Sequence, residues 1–168
     1  QALTLDRRML AELVGSEELR ELIDPEALEQ LEAELQSLDE RRWARDVDDA
    51  HDLLARLGDL TAAELRARSE ADFAPELVAA RRAVVVRVAG EERLIAVEDA
   101  GRYRDALGVS PPSGLPDAFL EPAPDALLQL VRRWARTHGP FLAGQPAARF
   151  GVPVELVESV LDPLVGAG

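Results

Sequence analysis

The chain has 168 residues, 47% of them hydrophobic, with 32 acidic and 19 basic side chains and a formal charge of −13. It is long enough to bury a core, and two small units joined by a linker are the expected organisation. Every basic residue is Arg and there is no Cys, which excludes a P-loop lysine, Schiff-base chemistry, thiolate nucleophiles and zinc–cysteine clusters.

Residues 1–45 read as an acidic helical segment. Thr4 to Val14 and Ser16 to Leu22 carry Leu5, Met9 and Leu13, then Leu19, Leu22 and Ile23, at helical spacing. Asp24-Pro25 restarts the helix as N-cap and first helical residue. From there Leu28, Leu31, Leu35 and Leu38 form one stripe, and Glu26, Glu29, Glu32 and Glu34 cover the rest as a solvated face or a surface for a basic partner. Residues 1–40 hold 12 acidic and 3 basic side chains, so the acidity sits mostly in this segment and phosphate contact by the remainder stays open.

Residues 46–108 read as a first unit. Asp46 caps a helix that Gly58 ends at Leu57, Thr61 and Glu64 make a capping box for a short helix, and a third helix runs from near Asp72 through Leu77 to Arg81, with Pro75 in its first turn. Strands Ala83–Ala89 and Arg93–Val97 follow, joined by a type II′ turn at Gly90-Glu91. That register sets Val86 opposite Ile95 and Val84 opposite Val97, a face expected to bury against the third helix near Leu77. Val85, Arg87, Leu94 and Ala96 share the other face. Both faces are partly apolar, so the second is expected to be covered too. Glu98 to Leu107 forms another helix, stopped by Gly108.

Residues 109–124, with five prolines, are the expected linker, and 125–168 a second unit. Asp125 caps a helix to His138, Gly139-Pro140 ends it, a short helix around Ala147 to Phe150 stops at Gly151, and Pro153 opens a third helix towards Leu164. Helix, short helix, third helix and hairpin is the winged-helix plan. The expected fold is therefore mostly α with a small β-hairpin: two winged-helix-like units, the second with its wing truncated, preceded by an acidic helical segment. A chain that starts at Gln1 and stops at Gly168 reads as a fragment. With no membrane-spanning run and no signal segment, it is expected to be cytoplasmic and to have no membrane partner.

In a DNA-bound winged helix the third helix and wing approach the groove and backbone, so Arg81, Arg82, Arg87 and Arg93 are candidate phosphate contacts. They can equally pair with neighbouring Glu91, Glu92 and Asp99. Arg132, Arg133 and Arg136 make a basic edge in the second unit, whose third helix carries Glu155, Glu158 and Asp162 and no base, a poor groove reader. Trp43, Trp134 and Tyr103 can stack on unpaired bases or anchor helices. His51 and His138 lack a neighbouring His or Cys, so no metal site is expected. Nothing singles out Asp48 with Asp52, or Glu98 with Asp99, for acid–base work, and no catalytic residue is assigned.

Several stretches resemble a known family. Leu19-Arg20-Glu21-Leu22-Ile23-Asp24-Pro25-Glu26-Ala27-Leu28, the wing Val86 to Arg93 running into Ala96-Val97-Glu98-Asp99-Ala100-Gly101-Arg102-Tyr103, and Leu130-Val131-Arg132-Arg133-Trp134-Ala135-Arg136-Thr137-His138-Gly139-Pro140-Phe141 look like the region C-terminal to the helicase core in bacterial large helicase-related (Lhr) proteins. The likeness covers nearly the whole chain and is strongest from 82 to 151. It implies a parent that is an ATP-dependent, DNA-translocating helicase of nucleic-acid repair, with ATP and Mg in motor domains that are absent from this piece and no cofactor in the piece itself. It also implies an extension of successive winged-helix modules, similar to AlkZ-like DNA glycosylases, with glycosylase activity in some members. Leu142-Ala143-Gly144-Gln145-Pro146 departs from the family's regular second helix, and Gly plus Pro should shorten or distort it there. The functional expectation is a non-catalytic accessory region that makes weak, non-specific DNA contacts or braces the helicase core of the same chain. The alternatives are a protein-interaction or oligomerisation scaffold that self-associates, and part of a glycosylase-like module.

Overall fold

Asp24-Pro25 opens the first element of a computed structural model that describes residues 24–166. The helices expected over Thr4–Val14 and Ser16–Leu22 lie outside the described residues. Helix α1 (Pro25–Leu35) begins with the Asp24 carboxylate accepting from the Glu26 amide at 3.1 Å. Of its expected stripe only Leu28 is buried, while Leu31 and Leu38 are 48% and 44% exposed. A 3₁₀ turn, Glu40–Arg42, leads into α2 (Val47–Leu57), which is capped by Asp46 and ends at Gly58 with φ of 90°. The Thr61–Glu64 capping box starts α3 (Ala62–Arg66). Helix α4 (Ala74–Ala79) is shorter at both ends than expected. Arg81 takes a left-handed φ of 57°, and the Arg82 amide folds back to the Leu77 carbonyl at 2.9 Å, a Schellman-type stop that places Arg81 beyond the helix.

The hairpin pairs β1 (Ala83–Val88) with β2 (Glu91–Ala96). Its turn is Ala89-Gly90, with φ of 52° and 79°, and not Gly90-Glu91. Two successive positive φ values make a type I′ turn, whose twist matches that of the strands. The register accordingly shifts by two: Val84 opposes Ile95, and Val86 opposes Arg93. A two-residue shift keeps every side chain on its expected face. The outer edge of β2 is pinned by Leu60, whose amide and carbonyl exchange hydrogen bonds with Leu94 at 3.0 and 2.7 Å.

After a 3₁₀ turn (Val97–Asp99) come α5 (Ala100–Leu107), a further 3₁₀ turn (Asp117–Phe119), α6 (Ala126–Thr137), α7 (Gly144–Phe150) and α8 (Val154–Gly166). Asp125 does not cap α6 with its side chain as expected: its φ of 54° is left-handed, and no side-chain capping bond forms. Helix α7 tolerates Gly144 and Pro146 because both fall in its first turn, where no intrahelical donor is lost.

Two apolar clusters meet at the hairpin. Ala83, Leu94 and Ala96 pack with Leu53 and Leu54 of α2 and with Leu65 and Leu77. Val84, Val86, Val88 and Ile95 point the other way, into Tyr103, Leu130, Val131, Phe150 and Val157. The Val86–Ile95 face is thus buried as expected, but against α5–α8 and not against Leu77. Leu77 instead receives the Leu94 face, because alternation along the strands sends Leu94 and Ile95 to opposite sides. Each fully buried Val or Ile contributes about 1.5–3 kcal/mol, so the hairpin is fastened on both sides. The turn itself is exposed, although Gly151 at the end of α7 approaches it closely: a Cβ there would lie 3.0 Å from the Ala89 Cα.

Candidate nucleic-acid interface and the ion-pair network behind it

The seven candidate arginines divide by environment. Arg81, Arg87, Arg132 and Arg136 are exposed. Arg82 is half-buried and pairs with Asp48 at 2.5 Å. Arg93 and Arg133 are drawn inward. Arg93 is 5% exposed and donates from Nη1 to Asp59 Oδ2 at 2.8 Å, with Glu91 3.3 Å from its Nε. Arg133 donates to Asp99 Oδ2 at 2.7 Å, to the Ala55 carbonyl at 3.1 Å and to the Tyr103 hydroxyl at 3.2 Å. Asp99 is closed on its other oxygen by Arg102 at 2.7 Å.

Asp59 is the hub. Its Oδ1 accepts from the Tyr103 hydroxyl at 2.7 Å, and its Oδ2 accepts from Arg93 and from Arg149 Nε at 3.1 Å. Its backbone amide donates back to Tyr103 at 2.8 Å, and its carbonyl accepts from Arg149 Nη2 at 2.6 Å. Arg149, carried on α7, also grips Glu64 with both terminal nitrogens at 3.0 Å, a fork that suits guanidinium and not ammonium. Burial and then the Asp59 charge push the Tyr103 phenol well above its usual range. Burial works against the charge on Arg149, but Asp59 and Glu64 outweigh it and hold the guanidinium fully charged. Gly58 is required beside this hub, since a Cβ there would sit 2.9 Å from the Tyr103 oxygen and 3.2 Å from Arg133 Nε.

A cavity of about 210 Å³ adjoins the network, lined in part by Gln36, Arg68, Trp134 and His138. Trp134 stacks on His138 with ring centroids 3.6 Å apart and meets Phe150 edge-on at 6.2 Å. It therefore anchors helices. Tyr103, 1% exposed, does the same. His138 donates from Nδ1 to the Trp134 carbonyl at 2.9 Å, and burial lowers its pKa. Trp43 is half-buried and donates to the Leu38 carbonyl at 3.3 Å. His51 lies 3.0 Å from Glu98. Among the described residues no group of three acids or histidines could hold a metal ion, and no helix is long and apolar enough to cross a membrane.

The carboxylates of this hub are engaged by guanidinium and phenol donors, a state that fixes their geometry. Asp59, Glu64 and Arg149 were not legible as a group. Their contacts span 85 to 90 residues of chain, and Glu64 signalled only a helix cap.

Comparison with known proteins gives the family. The winged-helix domain of large helicase-related proteins matches residues 21–122. A Mycolicibacterium smegmatis protein named Lhr helicase/probable uracil glycosylase is 46% identical over 171 residues, covering 99% of this chain. An Escherichia coli protein named Lhr helicase/uracil glycosylase is 37% identical over 168 residues, covering 96% of it. The chain spans 11% of the length of each of these relatives.

Proposed function

The chain belongs to the large helicase-related (Lhr) family through its winged-helix domain, and from that premise we propose that it is a non-catalytic brace within an ATP-dependent DNA helicase of DNA repair. In this reading the ATP and Mg chemistry resides in motor domains elsewhere in a cytoplasmic parent protein, and this region contacts the helicase core. One observation carries the proposal: the hairpin, the element a winged helix would offer to DNA, packs Leu94 and Ala96 into one helical group and Val86 and Ile95 into the other, with its tip from Ala89 to Glu92 left exposed. An element fastened between two groups in this way is suited to transmit position between them. DNA contact is then left to the exposed Arg81, Arg87, Arg132 and Arg136, as weak, sequence-independent phosphate contacts.

The names of the relatives also favour a glycosylase-like contribution. Against it stand the carboxylates Asp59, Glu64 and Asp99, each held by at least one arginine. Self-association remains a scaffold alternative.

The test is to exchange the matching segment of the M. smegmatis relative for this chain and assay duplex unwinding. Unwinding should persist with the parent sequence and fall sharply with Arg149→Glu. Full unwinding by the Arg149→Glu exchange would remove the bracing role.

A further inference from the structure

One edge of the hairpin is left open. Leu94 turns its amide and carbonyl towards Leu60, with which it exchanges hydrogen bonds at 2.7 and 3.0 Å. Val85 is the partner of Leu94 in the ladder, so in an antiparallel pair Val85 turns its own N–H and C=O away from β2. Arg87, two residues further along β1, does the same. No hydrogen bond reaches these four groups among the described residues, and both residues are exposed. An edge of this kind is a template for a further strand.

A cavity of about 310 Å³ lies along that edge. Val84 and Val85 both line it, although alternation sends their side chains to opposite faces of the hairpin, so the cavity spans the edge and not one face. Its far wall is Pro112 to Leu115, in the segment between α5 and α6. That wall makes no hydrogen bond to β1 among the described residues, and Pro112 has no amide hydrogen with which to make one. Val78 and Val85, 40% and 44% exposed, add apolar surface to the groove. Charge then selects the occupant. Arg81 lines the groove, is exposed and has no ion-pair partner among the described residues, and no carboxylate there lines the groove with it. Arg82 is neutralised by Asp48, and Arg87 faces Glu92 across the ladder without an ion pair between them among the described residues. From Arg81 to Val88 the strand and its approach carry three arginines and no acid. A second copy of β1 on this edge would add only like charge, which neighbouring strands disfavour, whereas a strand ending in a carboxylate is complementary.

We propose that the open edge of β1 binds an extended peptide of a partner protein by strand addition, with alternate apolar side chains in the cavity and a carboxylate on Arg81. Main-chain bonds to Val85 and Arg87 supply the affinity, and the cavity with Arg81 supplies the preference for sequence. The groove offers one guanidinium beside apolar walls and no aromatic ring, a lining that suits a peptide and gives a nucleic acid neither a stacking platform nor a row of phosphate contacts. The site uses the edge of β1, whereas the bracing role rests on the faces of the hairpin, so either can fail alone.

The experiment titrates the isotope-labelled 168-residue chain with the end-blocked octapeptide Asp-Thr-Val-Thr-Ile-Thr-Val-Asp, which presents a carboxylate to Arg81 in either strand direction, and follows amide exchange residue by residue. Saturation should slow exchange of the Val85 and Arg87 amides about tenfold or more. Two N-methylated versions, one methylated at the threonines and one at Val and Ile, should behave oppositely: the version blocked on the side that faces β1 should lose affinity about tenfold or more, and the other should keep it. Arg81→Glu should weaken the octapeptide about tenfold and bind a version with Lys at both ends in its place. Val85→Pro removes an edge donor without breaking a ladder bond and should abolish binding in a chain that melts with the parent; the N-methylated pair carries the same test with the protein unaltered. Equal binding by the two N-methylated peptides, unchanged exchange at Val85 and Arg87, or equal affinity for the Asp-ended and Lys-ended peptides would each overturn the site. Slowed exchange of the same amides with rising protein concentration and no peptide would give the edge to a second copy and overturn it as well.

Discussion

On the hairpin, Arg93 lies 5% exposed between Asp59 and Glu91, while Arg87, six residues earlier, stands in solvent without an ion-pair partner among the described residues. The same division runs through α6, where Arg133 is bound to Asp99 and Tyr103 and Arg132 is exposed. The residue type does not distinguish them; the face of the element does. On the inner face a guanidinium meets carboxylates from distant parts of the chain in a medium where an unpaired charge would be costly. On the outer face it remains free to meet phosphate. Basic residues of a winged helix therefore cannot be read as DNA contacts until their face is known.

The comparison breaks most readily at its hub. Asp59→Ala removes the buried carboxylate that Arg93 and Arg149 share, leaving them only Glu91 and Glu64 among the described residues, and should cost about 3–5 kcal/mol in denaturant unfolding. A loss under about 1 kcal/mol would make the network ornamental. Ile95→Ala opens a cavity between the hairpin and α6 and should cost about 2–5 kcal/mol; a small effect would mean that the Val86–Ile95 face is loosely held.

A gentler probe is His138. Its burial lowers the folded pKa below the ordinary value of 6.5, so the unfolded chain takes up the proton first as pH falls. Stability from this group is complete above about 6.5 and is lost as pH drops through the folded value. The unfolding midpoint should fall between about pH 7.5 and pH 5.5, and His138→Phe should flatten that fall. The smallest effect is expected outside. Arg81→Ala with Arg87→Ala should change stability by less than about 0.5 kcal/mol and flatten the duplex salt slope by about 2.

Local signals in the sequence translated well. The Asp46 cap and Gly58 stop bound α2, the Thr61–Glu64 box starts α3, and β-branched Val84, Val86 and Val88 form a strand whose two apolar faces implied two partners. The turn was misplaced by one residue, because Gly90 at the second position of a type I′ turn and at the first position of a type II′ turn look alike in sequence. Which partner takes which face, and which arginine meets which acid, depended on contacts up to 90 residues apart. No period or cap encodes such contacts.

Native-state hydrogen exchange tests the central claim most directly, that the hairpin locks the two helical groups into one cooperative body. The slowest amides of the hairpin, of α2 around Leu53–Leu54 and of α6 around Leu130–Val131 should share one opening free energy, and Asp59→Ala should lower all three together. A hairpin that opens with α6 while α2 stays protected, or the reverse, would contradict the account.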